Sequence, residues 1–454
     1  MDIVSLLPVL MFLVLALLLF SGFPVAFILG GVGLMFGFIG IFYEVFSFIE
    51  FFNILSRIWG GVCENLILVA IPMFIFMGTM LEKSGVAKDL LYALQILLRS
   101  VPGGLALSVT IMGTIMAATT GIIGASVVMM TLLALPVMLE RKYDTSLATG
   151  TIAASGTLGI LIPPSIMLVI MADLLAISVG TLFVASVIPG LLLASLYFFY
   201  LFLRTRFNPK LAPSLPKNIG PSTKKEKTLL ILKSFIPPIA LIVLVLGSIF
   251  AGYATPTEAA GVGALGSIIL AILNRRLSFN VLKNVTERSA LTGAMIFGIF
   301  VGATAFSYVF RSLGGDDLIH EFVNEMGLGP WGILFVMMGL VFLLGFFFDW
   351  VEITLIVLPL FAPIMQTLDF GDHLPSQMIV PWIAVLLAVN LQTSFLTPPF
   401  GFALFYMKGV SPPEVKIQTI YKGIIPFVLL QLLGLILVIK FPEIALWLPG
   451  LILD

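Results

Sequence analysis

The 454-residue chain is 60% hydrophobic and 10% charged, with a mean hydropathy of +1.18. A soluble domain is about half apolar and about a quarter charged, so this chain reads as an all-α polytopic membrane protein. Formal charge sums to zero, which excludes a nucleic-acid-binding field; the single cysteine, Cys63, excludes a disulfide framework and is expected to be a packed apolar group.

Residues 3–20 have the length of a signal peptide, but they follow Met1-Asp2 without a basic leader and run at once into a second apolar stretch. They are predicted to be an uncleaved first span. Runs long enough to cross a hydrocarbon core, about 20 residues, fall at 4–20, 23–43, 65–82, 145–172, 177–203, 229–251, 256–274, 291–310, 378–406 and 417–440. Two further apolar runs, 103–139 and 330–366, are interrupted halfway and are predicted to be re-entrant hairpins. The more polar stretches 46–60, 86–99, 279–290 and 313–326 are amphipathic and read as helices lying along the interfaces. Threading the chain with its N-terminus outside puts 20 of the 23 Lys and Arg residues inside, leaving only Arg57, Arg311 and Lys440 outside. Both termini are then outside, and the basic, Pro-rich segment 204–228 is a cytoplasmic linker.

That linker separates two similar halves, 1–203 and 229–454. Thr131 and Pro136 recur as Thr354 and Pro359 at an offset of 223, and Pro163-Pro164 recur as Pro398-Pro399 at 235. Pro24 with Gly30, Gly31 and Gly33 recurs as Pro256 with Gly261, Gly263 and Gly266, at an offset near 232. Each half contains five spans and one hairpin. Five is odd, so the second half enters from the opposite side, giving inverted repeats; such transporters place their sites near the midplane, where discontinuous helices meet. The six glycines are assigned to close helix packing, and Pro24, Pro72, Pro189 and Pro426 to kinks or packing.

Irregular backbone at membrane depth survives only within protein or against a cavity, and four such places are predicted. Two are the hairpin tips, 117–126 and 345–354. Two are broken helices, 154–165 and 390–401, where paired prolines remove backbone donors. Carbonyls and hydroxyls freed there are hard oxygen ligands suited to Na⁺, expected at two quasi-symmetric sites. One joins Thr119, Thr120, Gly121 and Ser126 to Gly156, Thr157, Gly159 and Pro163; the other joins Gly345, Asp349 and Glu352 to Thr393, Thr397 and Pro398. No Lys or Arg is predicted at membrane depth, so an anionic substrate has to be held by hydroxyls, amides and helix ends. Those groups are Ser155, Ser165, Thr354, Gln392 and Ser394, with Gly401. Asp349 and Glu352 are the only acids expected at membrane depth, where a charge costs at least about 2.5 kcal/mol. Each is either a ligand or a cap of the returning half-helix.

Three ordered motifs carry a resemblance: Gly156-Thr157-Leu158-Gly159-Ile160-Leu161-Ile162-Pro163-Pro164-Ser165, Ala254-Thr255-Pro256-Thr257-Glu258-Ala259-Ala260, and Thr397-Pro398-Pro399-Phe400-Gly401. They resemble signatures of the large membrane subunit of tripartite ATP-independent periplasmic (TRAP) transporters, and the likeness covers essentially the whole chain. It implies an elevator-type importer of an organic acid in a bacterial cytoplasmic membrane, driven by a Na⁺ gradient and needing no cofactor beyond that ion. It also implies a small four-helix membrane subunit and an extracytoplasmic binding protein as partners. The second tip departs from the family pattern, with Asp349-Trp350-Val351-Glu352 where many members carry Asp-Pro-Thr-Ala. Alternative readings are a stand-alone ion-coupled organic anion carrier, a passive channel and an intramembrane enzyme. Catalysis is disfavoured, because the chain has no H-E-x-x-H or G-x-S-x-G, and its two histidines, His320 and His373, fall in outside loops, where they are expected to be solvated.

Overall fold

The computed structural model describes residues 3–452 except 122, 217–219, 222, 326 and 400, with side chains described at all of these but 3, 118–120, 320 and 322–324. The side chains of Thr119, Thr120 and His320, and the linker residues 217–219 and 222, therefore lie outside the description. Every regular element among the described residues is helical. The first half runs α1 (Ile3–Leu19), α2 (Val25–Phe42), α3 (Phe48–Ile58), a π turn at Trp59–Cys63 and a 3₁₀ turn at Leu66–Val69, then α4 (Ala70–Lys83) and α5 (Val86–Leu97). A hairpin of α6 (Gly104–Thr120) and α7 (Ile123–Glu140) comes next, then a broken helix of α8 (Thr145–Thr157) and α9 (Ile166–Leu174), then α10 (Val179–Phe207).

The second half repeats the order: α11 (Lys224–Phe250), α12 (Pro256–Leu273), α13 (Phe279–Ser312) and α14 (Gly315–Glu325). Its hairpin is α15 (Pro330–Leu344) with α16 (Trp350–Thr367), its broken helix α17 (Ile379–Leu396) with α18 (Phe402–Val410), and α19 (Ile417–Lys440) closes the repeat. A final α20 (Glu443–Ile452) has no counterpart in the sequence reading.

Among the described residues, ten helices are long and apolar enough to cross a membrane. Eight coincide with predicted spans; the other two are α7 and α16, the second legs of the hairpins. Local sequence explains where helices start. The motif Ala254–Ala260 is a capping box with Pro256 in the first turn: Thr255 accepts from the Glu258 amide, and the Glu258 carboxylate accepts from the Thr255 amide at 2.8 Å. Ser47 with Glu50 and Thr223 with Glu226 open α3 and α11 in the same way. Hydrogen bonds from Ser47 hold the Glu50 carboxyl below the usual carboxylate range. Thr257 adds a tie to the Leu66 carbonyl at 2.8 Å, fastening α12 to the 3₁₀ turn ahead of α4.

Packing divides the helices into a frame and a block. In the frame, α2 lies along α13 and α4 along α12. In the block, α8 packs against α7 and α19, while α17 runs through the middle with every residue but Val380 buried. Both bodies draw helices from both halves, so the repeats are interleaved rather than separate. Small residues set the crossings, as expected where lipid supplies no hydrophobic drive between helices. A Cβ on Gly33 falls 3.0 Å from the Phe306 amide nitrogen, whereas Gly31 and Gly261 face open space, so the packing role expected of all six glycines does not hold for those two. Pro24 caps α2 and Pro72 sits in the first turn of α4, so these two start helices rather than kink them.

Three further expectations are corrected. Residues 279–290 are not a separate interfacial helix but the first turns of α13, whose 34 residues reach about 51 Å, well beyond a hydrocarbon core of about 30 Å. No Gly or Pro interrupts that stretch, whereas Gly60 and Gly61 end the equivalent α3 and Asn65 caps the 3₁₀ turn at Leu66–Val69. His373 is half-buried, not solvated: it lies 2.9 Å from the Ile439 carbonyl and against Trp331 and Trp382. Cys63 is exposed in the π turn rather than packed.

In the block α8 crosses α19 at close range: a Cβ on Gly150 falls on the Gly423 carbonyl and one on Gly423 falls on the Ser146 carbonyl. Gly150→Ala or Gly423→Ala is expected to destabilise the protein by about 1–3 kcal/mol. Gly247→Ala, which meets open space, is expected to leave stability in detergent unchanged. Thermal unfolding of the three variants checks this.

Candidate ion and substrate site

Each hairpin tip is seated on the broken helix of its own half. In the first, Gly121 adopts φ +57 between α6 and α7, and a Cβ there comes within 3.0 Å of Ile166, the first residue of α9. In the second, Gly345 ends α15 so close to Ser394 on α17 that a Cβ falls on the Ser394 hydroxyl and 2.5 Å from its Cβ.

The breaks are accounted for group by group. Pro163 and Pro164 offer no N–H to the Gly159 and Ile160 carbonyls. The Ser165 hydroxyl donates to Ile160 at 2.6 Å, while Leu161 and Ile162 both donate to Leu158. Helix α8 extends through Thr157, so Ser155, Gly156 and Thr157 precede the break, and a Cβ on Gly156 meets Val127 of α7 at 2.6 Å. The second break begins later than expected. Asn390 to Leu396 are regular helix, because Thr393 and Ser394 turn their hydroxyls back onto the Val389 and Leu391 carbonyls at 2.8 Å each. The unwound stretch includes 397–399 and 401, where Thr397 donates to the Thr393 carbonyl at 2.8 Å, Gly401 to Thr397 at 3.2 Å and Tyr421 to the Pro399 carbonyl at 2.5 Å. Both Pro-Pro bonds are cis.

Asp349 and Glu352 form a capping box at the start of α16. Asp349 accepts from the Trp350 amide at 2.8 Å, and Glu352 accepts from the Asp349 amide at 3.1 Å. One oxygen of each carboxylate is thereby committed to the returning half-helix, whose N-terminal dipole favours negative charge.

Of the remaining site residues, Ser155 lies 3.4 Å from the Thr110 hydroxyl and Ser126 is buried on α7. Thr354 has a buried hydroxyl without a described partner and lines an apolar crevice with Met171, Val341, Leu387 and Leu391. Gln392 reaches the Thr157 hydroxyl at 3.5 Å. These two residues are 235 apart, the offset that relates Pro163 to Pro398, so they are equivalent positions that touch on the axis between the repeats.

A cavity of about 320 Å³ lies between block and frame. The tips contribute Ile123, Gly124, Asp349 and Trp350, α18 contributes Phe402 and Tyr406, and the frame contributes Thr79, Arg288 and Thr292. The Tyr406 ring packs on Gly124, where a Cβ would lie 3.1 Å away, so the first tip also touches the second broken helix. Sequence reasoning missed Tyr406 and Arg288. An arginine in this cavity was not foreseen because the span in α13 was expected to begin only at 291. A second cleft, of about 760 Å³, opens at the opposite end of α13 between Arg57, Asn65, Tyr308 and Arg311 on the frame and Asp173, Leu355 and Pro359 on the block. Two polar ties cross it: Asn65 to Asp173 at 2.7 Å, and Arg311 to the Pro359 carbonyl at 2.8 Å.

The Gly345–Ser394 contact gives a direct test of how the second tip is seated. Gly345→Ala is expected to cost about 1–3 kcal/mol, and adding Ser394→Gly to the same chain is expected to restore most of it. Thermal unfolding of the single and double variants decides between this and a loosely placed tip.

The comparisons with known proteins agree with this architecture. The family model described as "Tripartite ATP-independent periplasmic transporter, DctM component" matches residues 12–444. The C4-dicarboxylate TRAP transporter large permease protein DctM of Pseudomonas aeruginosa is 30% identical over 389 residues, covering 85% of this chain and 87% of that protein. The sialic acid TRAP transporter large permease protein SiaM of Vibrio cholerae is 26% identical, covering 96% of this chain and 97% of its own length. Among solved structures, the YdaH transporter of Alcanivorax borkumensis shares the fold, with a TM-score of 0.61 at 14% identity over 88% of each chain. The chain belongs to the DctM family, the large permease component of tripartite ATP-independent periplasmic transporters.

Proposed function

We propose that this permease imports a small organic acid across a bacterial cytoplasmic membrane by Na⁺-coupled elevator movement of the block against the frame. The observation that carries the reading is the seating of each hairpin tip on the broken helix of its own half, beside a cavity at the block–frame boundary. Tip and break together concentrate carbonyl and hydroxyl oxygens at membrane depth, which suits a hard monovalent cation. The paired arrangement suits two Na⁺ ions bound in equivalent places. We assign the first to Gly121 and Ser126 with the Gly156–Pro163 stretch, and the second to Gly345 and the Asp349–Glu352 cap with Thr393, Thr397 and Pro398. In this reading the capping box holds the second tip in its ion-binding form, and the Glu352 charge contributes to the field at the ion.

The relatives named for a C4-dicarboxylate and for sialic acid support a carboxylate cargo without choosing among carboxylates. The tripartite family supports delivery by an extracytoplasmic binding protein and assembly with a small four-helix membrane subunit. The basic-residue distribution supports an orientation with both termini on the periplasmic side and the linker in the cytoplasm.

Reconstituted with those two partners, the protein is expected to take up substrate when Na⁺ is high outside and to stop when choline replaces it. Equal uptake in both buffers rules out Na⁺ coupling. Glu352→Gln preserves volume and an acceptor oxygen, so it is expected to cost no more than about 1 kcal/mol of stability while abolishing most uptake. Near-normal uptake in that variant reduces Glu352 to a cap. For orientation, single cysteines replacing the exposed Lys225 and Asp372, in a Cys63→Ser background, are expected to react with a membrane-impermeant thiol reagent from opposite sides. Reaction from the same side overturns the topology.

A further inference from the structure

Arg288 is a basic residue that lines the cavity between the hairpin tips and the frame. It sits on the turns of α13 that extend past the expected span, and it lines the same space as Thr79, Thr292, Trp350 and Tyr406. Its ion-pair partner is shared. Glu82 Oε1 lies 3.8 Å from Arg288 Nη1 and 3.3 Å from Lys83 Nζ, so one carboxylate serves two cations. The acid on the opposite wall, Asp349, has an oxygen committed to the N-terminus of α16. Arg288 is therefore only partly engaged by Glu82, at a distance of 3.8 Å, and its side chain is about half exposed. A space of about 320 Å³ with hydroxyls, aromatic rings and one guanidinium has the size and lining of a small-molecule site. A guanidinium is also the side chain best matched to a carboxylate.

The geometry points to Arg288 as a carboxylate-binding residue on the frame, which meets the substrate only when the block opens toward the cytoplasm. This role rests on the carrier reading and orientation given above and adds an asymmetry to them. Groups on the tips and broken helices travel with the block and meet the substrate on both sides. Arg288 does not travel, so it stabilises the substrate in the inward-facing cavity alone and favours delivery over return. Glu82 competes with the substrate for the guanidinium and keeps the site weak enough to empty.

The test uses the complete three-protein assembly in liposomes, with Thr292→Cys in a Cys63→Ser background. Anionic and cationic methanethiosulfonates are applied from the cytoplasmic face, and the ratio of their reaction rates reads the field in the cavity without requiring transport. Arg288→Gln is expected to lower the anionic-to-cationic ratio about tenfold, as for a focused charge in a cleft. Arg288→Lys is expected to leave the ratio near the parent value, and Glu82→Gln to raise it. Sodium salts of acetate, pyruvate, succinate and glutarate, tested one at a time on the cytoplasmic side, are expected to include at least one that slows labelling in the parent, with that protection lost in Arg288→Gln and weakened in Arg288→Lys. A ratio that does not respond to Arg288→Gln, or protection that survives it, overturns the assignment. Failure of the carrier reading shows separately, as absence of Na⁺-driven uptake by the parent assembly.

Discussion

Everything in this molecule depends on the need to pair backbone donors and acceptors where no water reaches. A continuous helix meets that need by itself, and most of the chain does so. At the two hairpin tips and two proline breaks the need is met by other means. Ser165 turns to the Ile160 carbonyl, Tyr421 to Pro399 and Thr397 to Thr393, while the capping box of Asp349 and Glu352 closes the start of α16. These groups do locally what the helix ladder does elsewhere, and they do it with atoms that can also serve a ligand. Irregular backbone and polar chemistry are therefore found in the same few residues, enclosed by helices from both halves.

The frame obeys a different limit. Helices in lipid gain nothing from hiding apolar surface from one another, so they are held by close approach. Gly33 against Phe306 brings α2 onto α13, and Gly263 beside Met77 brings α12 onto α4. In the block, Gly150 and Gly423 do the same for α8 and α19. At the cleft the boundary between the two bodies is spanned instead by two polar ties among the described residues, Asn65 to Asp173 and Arg311 to Pro359. Arg311 holds the Pro359 carbonyl, a group that the ring nitrogen of Pro363, four residues on, cannot serve.

Much of this was legible in the sequence because hydropathy and proline pairs are local signals. The Pro-Pro breaks and the hairpins were read from a few residues each. The less legible features depended on neighbours distant in the chain. The second break was placed too early because Thr393 and Ser394 look like loop formers, yet their hydroxyls fold back onto their own helix. His373 was taken for a surface residue because its partner, the Ile439 carbonyl, lies 66 positions away at the end of α19. Arg288 escaped notice because nothing in residues 279–290 announces whether they lie flat or continue upright; the lack of Gly or Pro there was the available clue. Thr354 was assigned to substrate as a hydroxyl of the second tip, and the apolar crevice that it lines, among residues of α9, α15 and α17, was not visible in the local sequence.

The contact between Thr157 and Gln392 bears on how such a chain could arise. In a two-fold dimer, any residue on the axis faces its own copy. A half-length ancestor that paired with itself in opposite orientations would have set one residue against its twin at this spot. Identical side chains there have to share donor and acceptor roles through a symmetric arrangement. Fusion into one chain removes that restriction. One copy can become a short hydroxyl and the other a longer amide that reaches it from across the axis, at 3.5 Å. The axis is thus the place where duplication gains most from divergence, since only there does a change in one copy alter what its own counterpart touches.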